Sequence, residues 1–422
     1  MNRRLYSALL YLISPLLLVY LAMRAFKSAD YRSRWDERFG LKSVKATDLL
    51  LHSVSMGETI AAIPLIKQIM ATYPHLTITV TTTSPTGSAE VLRALGGKVQ
   101  HCYLPFDLAW CSRRFVKQVA PKTCIIMETE LWPNLVHYLK KSGASVVLAN
   151  ARLSQKSAEG YQKRHRLSLP MLQSLDAIAA QSDSAATRFI NLGVNKGKVA
   201  VCGSLKFDIS IDQKRIDAAK AVRAGWQAEQ RPVWVAGSVH PGEFELMLQA
   251  HTLLLQRYPE ALMILVPRHP EQFDAAAAAV EQANLLVARR SHNQAVTADT
   301  QVIVGDTMGE LLTLYAAADQ AFVGGTLIES GGHNPLEPAA VGLPVMVGPH
   351  HWNFNEIAEL LVAQGALKVV ESSAQLAQVL EDLFTDKLAY QSASDASKLV
   401  IAQNRGALEK QFALVESLLE KA

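Results

Sequence analysis

Carboxylates and cations stand just behind short apolar runs at several points of this chain. Glu58 closes Ser53-Val54-Ser55-Met56-Gly57-Glu58, directly after Leu49–Val54. A carboxylate so placed can take a proton from a hydroxyl as a general base. The competing reading is an acidic residue in the first turn of a helix, favoured there by the dipole. Met127-Glu128-Thr129-Glu130-Leu131-Trp132-Pro133 offers two carboxylates two residues apart, and Gly203-Ser204-Leu205-Lys206-Phe207-Asp208 offers a lysine that can meet an anion. Further on, Pro267-Arg268-His269-Pro270 presents a guanidinium, whose fork matches phosphate oxygens. A surface ion pair is the alternative for Arg268. Met308-Gly309-Glu310 reads as a loop entering a helix, a place where a nucleotide can be contacted.

The stretch 324–349, GGTLIESGGHNPLEPAAVGLPVMVGP, is the densest of these. Its glycines let backbone N–H groups turn towards a ligand, and a helix start follows them. Asn334 is read as the N-cap, Pro335 as the first helical residue, and Glu337 lies three beyond the cap. Strand, glycine-rich loop and helix N-terminus together favour a phosphate. Asn334 and Glu337 as a ligand-free capping box is the other reading. A carboxylate beside a phosphate is repelled, so a ligand-contacting Glu337 is expected to accept hydrogen bonds from ribose hydroxyls.

These segments need a scaffold, and the pattern supplies one. Apolar strand runs at 49–54, 76–83, 99–104, 123–127, 146–149, 177–180 and 199–202 alternate with helical stretches. A second series follows at 232–237, 262–266, 301–304, 320–323 and 345–347. Such alternation means parallel sheets covered on both faces, with ligands beyond the C-terminal strand ends. The expected fold class is therefore α/β. The expected divisions are a membrane anchor over 1–25, a first domain over 26–207, a linker region over 208–230, a second domain over 231–400 and a C-terminal helix over 401–422. That last helix, 406–420, is amphipathic and is expected to act as a lid or crossover.

Hydrophobic residues make up 49% of the 422 and charged residues 19%, too apolar for a disordered chain. The net charge of +4 is too mild to argue for nucleic acid as a partner. The four cysteines, Cys102, Cys111, Cys124 and Cys202, are scattered without CxxC spacing, which fits a reducing compartment. No histidine pair has metal-ligand spacing, so no protein-bound metal is expected. Leu5–Met23 is nearly all apolar, and as a helix it would extend roughly 28 Å, close to a bilayer core. Arg3 and Arg4 precede it; Arg24, Lys27, Arg32, Arg34 and Arg38 follow, an excess that puts the rest of the chain on the cytoplasmic side. A cleaved signal peptide is disfavoured by the length of the segment and by Ala22-Met23-Arg24, a poor cleavage context. Pro15 leaves open a shallow insertion instead of a full span. The basic run 152–166 reads as a solvated helix face or, near a membrane, as a holder of lipid phosphates.

Two parallel-sheet halves facing a cleft, with a glycine-rich loop in the second, look like a GT-B glycosyltransferase. The motifs HSVSMGE (52–58), METELWP (127–133), GSLKFD (203–208), VPRHPE (266–271), DTMGEL (306–311) and GGHNPLEP (331–338) are more specific. Behind an N-terminal anchor and in this order, they resemble the 3-deoxy-D-manno-octulosonic acid (Kdo) transferases of lipopolysaccharide assembly, glycosyltransferase family 30. The resemblance covers essentially the whole chain.

It implies inverting transfer of Kdo from the donor substrate CMP-Kdo to a lipid A precursor, lipid IVA, among the lipids of the inner membrane at its cytoplasmic face. It implies Glu58 as general base, with Glu128 and Lys206 stabilising the transition state. It implies a CMP site of Pro267, Arg268 and His269, then Met308, Gly309 and Glu310, then Asn334, Pro335, Leu336 and Glu337. With those cations no cofactor or divalent metal is required. One difficulty is that a helix N-terminus lowers a carboxylate pKa, whereas a base is best tuned upwards. Closure of the two halves is the expected remedy. The rival readings are a UDP-sugar transferase, a nucleotide-sugar epimerase, and a membrane-tethered nucleotide-sugar binding module without activity.

Overall fold

Strands of a parallel sheet are buried on both faces, so they read as continuous apolar runs, and Leu49-Leu50-Leu51 is such a run, wholly buried. The computed structural model describes residues 1–209 and 211–420. Position 210 of the expected linker and the last two residues of the expected C-terminal helix lie outside the described residues. Among these residues the chain forms two seven-stranded sheets, parallel throughout.

The first sheet contains β1 (Leu49–His52), β2 (Ile78–Thr82), β3 (Gln100–Tyr103), β4 (Thr123–Met127), β5 (Ser145–Ala151), β6 (Ala177–Ala180) and β7 (Val199–Val201). Their spatial order is β3-β2-β1-β4-β5-β6-β7. One face packs on Phe115, Leu135, Leu139 and Phe189, and the other on Leu65, Ile66, Ile69 and Val91. The second sheet contains β8 (Val233–Val239), β9 (Leu262–Pro267), β10 (Val287–Arg289), β11 (Val302–Val304), β12 (Gln320–Val323), β13 (Val345–Val347) and β14 (Leu367–Val369), in the order β10-β11-β9-β8-β12-β13-β14. Its faces are covered by Phe244, Met247, Leu376 and Leu380 on one side and by Trp226, Leu314 and Tyr315 on the other. The expected α/β architecture of two doubly covered parallel sheets is the one observed. The short edge strands β10 and β14 were not foreseen; each is three residues long and partly exposed.

Two compact units result, one of Met1–Asp208 with the chain from Arg405 onward, the other of Ile209–Asn404. The stretch 208–230, expected as a polar linker region of helical character, carries the helix Gln213–Gly225, whose Ala219 is buried with Trp226 and Ala228 in the core of the second unit. Its composition reads as polar because only one narrow stripe of it faces inward.

The helix Ala407–Leu419 returns to the first unit, where Ala407, Phe412 and Val415 join the core. It is fastened by polar groups as well. Gly406 and Leu408 donate their N–H groups to the Asp208 carboxylate at 2.8 and 2.6 Å. Gln411, fully buried, accepts from the Asn150 N–H at 2.8 Å and donates to the Gly203 carbonyl at 2.9 Å. Gln411→Ala strips partners from the buried Asn150 N–H and from the half-buried Gly203 carbonyl. The expected cost is about 2–4 kcal/mol, read as a lowered denaturant midpoint. Lys410→Ala, exposed on the same helix, should leave the midpoint within about 0.5 kcal/mol of the parent.

Candidate active site

In the first sheet the strand order reverses between β1 and β4, which are direct neighbours. Loops leaving adjacent strands at such a reversal part from one another, and ligands bind there. From β1 the chain turns into the helix Met56–Thr72, with Ser55 as N-cap in a reciprocal capping box with Glu58. The Val54 N–H donates to Glu58 Oε2 at 2.8 Å, and the Ser55 O–H and N–H donate to Oε1 at 2.8 and 3.3 Å. The side chain is buried, 8% exposed. Burial raises its pKa above the ordinary Glu value, the hydrogen bonds from Val54 and Ser55 oppose this, and the nearby charge of Glu128 adds to it. The balance is upward. Glu58 therefore starts the helix, and its pKa is shifted in the direction a base needs. The lowering expected from the helix terminus is outweighed by desolvation within the first unit itself.

Glu128 follows β4 in a left-handed backbone conformation, φ 52°, and its N–H donates to the Ala149 carbonyl at 2.9 Å. Such a φ is uncommon for a residue with a side chain and marks a constrained position. The carboxylate lies 3.0 Å from Lys206 Nζ. Lys206 rides on the single 3₁₀ turn Leu205–Phe207, whose first N–H donates to Asn150 Oδ1 at 3.0 Å. Glu130, half-buried, is pushed up to about 7 by burial, then by the charges of Glu58 and Glu128. The structure thus gathers Glu58, Glu128, Glu130 and Lys206. Asn150 and Gln411, which hold the lysine turn, escaped the sequence reading; they are 261 residues apart and carry no local signal. The basic run 152–166 forms mostly exposed surface, with Lys156, Lys163, Arg164 and Arg166 all exposed.

In the second sheet the order reverses between β8 and β12. Here the glycine-rich loop departs from expectation. Glu243, fully buried, accepts the N–H groups of Gly325 at 2.7 Å, Thr326 at 3.0 Å and Leu327 at 3.0 Å, and that of His240 at 3.1 Å. A protein carboxylate occupies the donors that the pattern assigned to a ligand anion. Gly324 serves close packing instead: a Cβ there would lie 2.5 Å from the Ser238 carbonyl oxygen. Nor does Asn334 form a capping box with Glu337. The helix is Leu336–Ala340 with Pro335 as its cap residue, and Asn334 Oδ1 accepts from the Leu336 N–H at 3.1 Å in a local turn. The expected helix start moves by one residue because this turn satisfies the donor first.

Glu337, His333 and His240 lie within reach of the charge of Arg268, which follows β9; the Arg268 backbone N–H donates to Val239 O at 2.9 Å. Among the described residues its guanidinium has no hydrogen-bond or ion-pair partner. Its charge acts on Glu337 and His333. Burial pushes the Glu337 carboxyl up to about 7, while Arg268 and a hydrogen bond with Asn334 pull the other way. His240 and His333 stack with rings parallel and share one hydrogen bond, Nε2 to Nε2 at 2.8 Å, with His269 edge-on to His240. Burial, Arg268 and the neighbouring imidazoles push His333 down to about 3, so it is neutral at ordinary pH.

Of the other expected contacts, Pro267 ends β9 in the core, and Leu336 is fully buried, so neither side chain is free for a ligand. Met308 is 68% exposed and Gly309 has φ 82°. The Glu310 carboxylate is already engaged by Arg290 at 3.0 Å and by the Thr307 hydroxyl, which hold its pKa below the usual Glu value despite burial. Among the described residues no group of three or more His, Cys, Asp or Glu is arranged to hold a metal ion.

Comparison with known proteins shows the family and the fold. Residues 33–209 match the family model described as 3-deoxy-D-manno-octulosonic-acid transferase (kdotransferase). The chain is 41% identical to the 3-deoxy-D-manno-octulosonic acid transferase of Haemophilus influenzae, over 100% of both chains. It is 33% identical to that of Bordetella pertussis, over 99% of this chain and 100% of the relative. A putative UDP-N-acetylglucosamine 2-epimerase from Listeria monocytogenes superposes with a TM-score of 0.57 at 12% identity, covering 89% of this chain and 97% of the other. At that identity the likeness speaks for the GT-B type of fold alone.

The buried Glu243 carboxylate gives a direct test of how the glycine-rich loop is held. Glu243→Gln keeps the shape but turns an amide NH₂ towards a ring of N–H donors. The expected loss is roughly 3–5 kcal/mol in the unfolding of the second unit, measured by denaturant titration. An unchanged midpoint would mean that the loop is held by other contacts.

Proposed function

The chain belongs to the Kdo transferase family, and on that premise we propose that it moves Kdo from CMP-Kdo to lipid IVA at the cytoplasmic face of the inner membrane, with inversion at the anomeric carbon. Transfer of Kdo in lipopolysaccharide biosynthesis is the family's activity and that of this chain. The observation that carries the finer reading is the buried, upward-tuned Glu58 beside the Glu128–Lys206 ion pair at the reversal of the first sheet.

The step balances as follows. Glu58 takes the proton from an acceptor hydroxyl as its oxygen bonds to C2 of Kdo. The bond from C2 to the phosphate oxygen breaks, and CMP departs with the electron pair. Positive charge develops on the sugar, and negative charge on the leaving phosphate. Lys206 pairs with the Kdo carboxylate or the departing phosphate, and Glu128 fixes the lysine for that role. On the donor side, Arg268, unpaired among the described residues, meets the phosphate. The half-buried Glu337 accepts from ribose hydroxyls, and backbone groups of 308–310 and 333–334 complete the CMP site. The side chains of Leu336 and Pro267 shape this site from the core. Cations from the chain neutralise the phosphate, so the reading includes no divalent metal and no further cofactor.

The direct test is mass spectrometry of the product formed from CMP-Kdo and a tetra-acylated lipid A precursor. Inertness with CMP-Kdo together with turnover of a UDP-sugar would overturn the donor assignment. Chelator is expected to leave turnover intact. Arg268→Ala should weaken CMP binding by roughly 2–4 kcal/mol in calorimetry. Glu58→Gln should cut turnover by at least ~10²-fold with donor affinity retained.

Because Glu58 must be ionised to act and its pKa is raised, activity is lost as pH falls through that raised value. The acid limb of kcat/KM should therefore lie above the ordinary Glu value of about 4.3. Glu128→Gln removes a like charge and should move the limb to lower pH. A limb at the ordinary position, unmoved by that variant, would assign the base elsewhere.

A further inference from the structure

The helix Arg3–Lys27 has 25 residues and is about 37 Å long, enough to cross a bilayer core of about 30 Å. Its contacts speak against crossing. At its first turns, Arg3 Nη1 and Ser7 Oγ both donate to Asn134 Oδ1, at 3.0 and 2.9 Å, and the Tyr6 hydroxyl donates to Asp107 Oδ2 at 3.1 Å. One turn further on, the Tyr11 hydroxyl accepts from the Trp110 N–H at 2.9 Å.

These partners are structural parts of the first unit. Asn134 and Asp107 are buried, and Asp107 accepts the N–H groups of Asn134 and Leu135 at 2.9 and 2.8 Å. At the other end Leu21 is 1% exposed, and the Arg24 guanidinium lies over the Tyr31 ring at 5.4 Å. Tyr31 is also faced by Arg38, which is buried and donates to the Thr83 carbonyl at 2.9 Å.

Both ends of the helix are thus fastened to one folded unit. A spanning helix would put its ends on opposite sides of about 30 Å of hydrocarbon, and one of these attachments would have to break. Breaking the first would strip partners from Asn134 and Asp107. Between the ends, Leu5, Leu9, Leu12, Leu16, Val19 and Met23 are all exposed, 46–77% each. Their spacing alternates between four and three residues, which draws one apolar stripe along the helix. Asp and Glu are absent from this helix, and its arginines stand only near the ends, at 3, 4 and 24.

We infer that this helix lies along the membrane instead of crossing it, with the stripe sunk among acyl chains and both ends on the side of the folded unit. The partner is a lipid surface: the stripe takes hydrocarbon, and the end arginines lie at the level of anionic headgroups. This inference does not rest on the donor chemistry.

It is tested on the full-length protein in native membranes. The four native cysteines are buried, so Arg4→Cys and Ser33→Cys can be labelled singly with a membrane-impermeant maleimide. Both are expected to react from the same face, in inverted or right-side-out vesicles. Reaction of the Arg4→Cys variant from the face opposite to Ser33→Cys would overturn the inference. Spin labels at Leu5→Cys, Leu12→Cys and Val19→Cys supply a second reading through oxygen and nickel accessibility. A helix lying in the surface gives three similar, shallow depths, within about 10 Å of the headgroups. A depth profile passing through the bilayer centre at Leu12 would equally overturn it. Transferase activity enters neither readout.

Discussion

Where the strand order of a parallel sheet reverses, two loops separate and leave backbone donors without strand partners. Those donors need acceptors, because an unpaired buried N–H costs about as much as a lost hydrogen bond. Each unit of this chain meets the requirement with a carboxylate from the helix that follows the strand. In the first unit Glu58 takes the N–H groups of Val54 and Ser55. In the second Glu243 takes those of His240, Gly325, Thr326 and Leu327. The same device has two outcomes. Glu243 is sealed with four donors and serves as a staple. Glu58 has fewer donors, keeps a sliver of exposure and lies near Glu128, so the carboxylate that organises its loop also remains available for a proton.

Most of the architecture was legible because it rests on local pattern. Apolar runs such as 123–127, 177–180 and 320–323 are observed as strands with the limits read from them. Legibility failed where a residue's role depends on a distant partner. The glycines of 324–332 suggested a phosphate cradle, and only the buried Glu243, some 80 positions earlier, shows that three of its donors are taken. Leu336 and Pro267 belong to motifs that resemble a nucleotide site, yet their side chains are in the core. The stacked pair His240 and His333 lies 93 residues apart in sequence, and no spacing rule joins them. Glu130 was read as a neighbour of Glu128; its tuning to about 7 follows from a cluster that only folding assembles.

Electrostatics divides the two candidate sites in kind. In the first unit the charge of Glu128 raises the proton affinity of Glu58 and of Glu130, and Lys206 pairs with Glu128. In the second the Arg268 guanidinium acts on His333, which burial already keeps neutral, so its positive charge stands beside an uncharged ring. The electrostatics of the first site favour holding a proton and the second offers a positive charge, and the surrounding burial sharpens both because screening by water is weak there.

The return of the helix Ala407–Leu419 to the first unit has a bearing on how the protein is made. The second unit, Ile209–Asn404, is one uninterrupted stretch and can collapse as it leaves the ribosome. The first unit cannot finish then, because Asn150, Gly203 and Asp208 wait for Gln411, Gly406 and Leu408. The half of the chain that emerges first is completed last. A polypeptide cut short before residue 405 therefore carries an intact second unit beside an unfinished first one, with exposed apolar core where Phe412 and Val415 belong. Until the closing helix is in place, that surface is prone to aggregation.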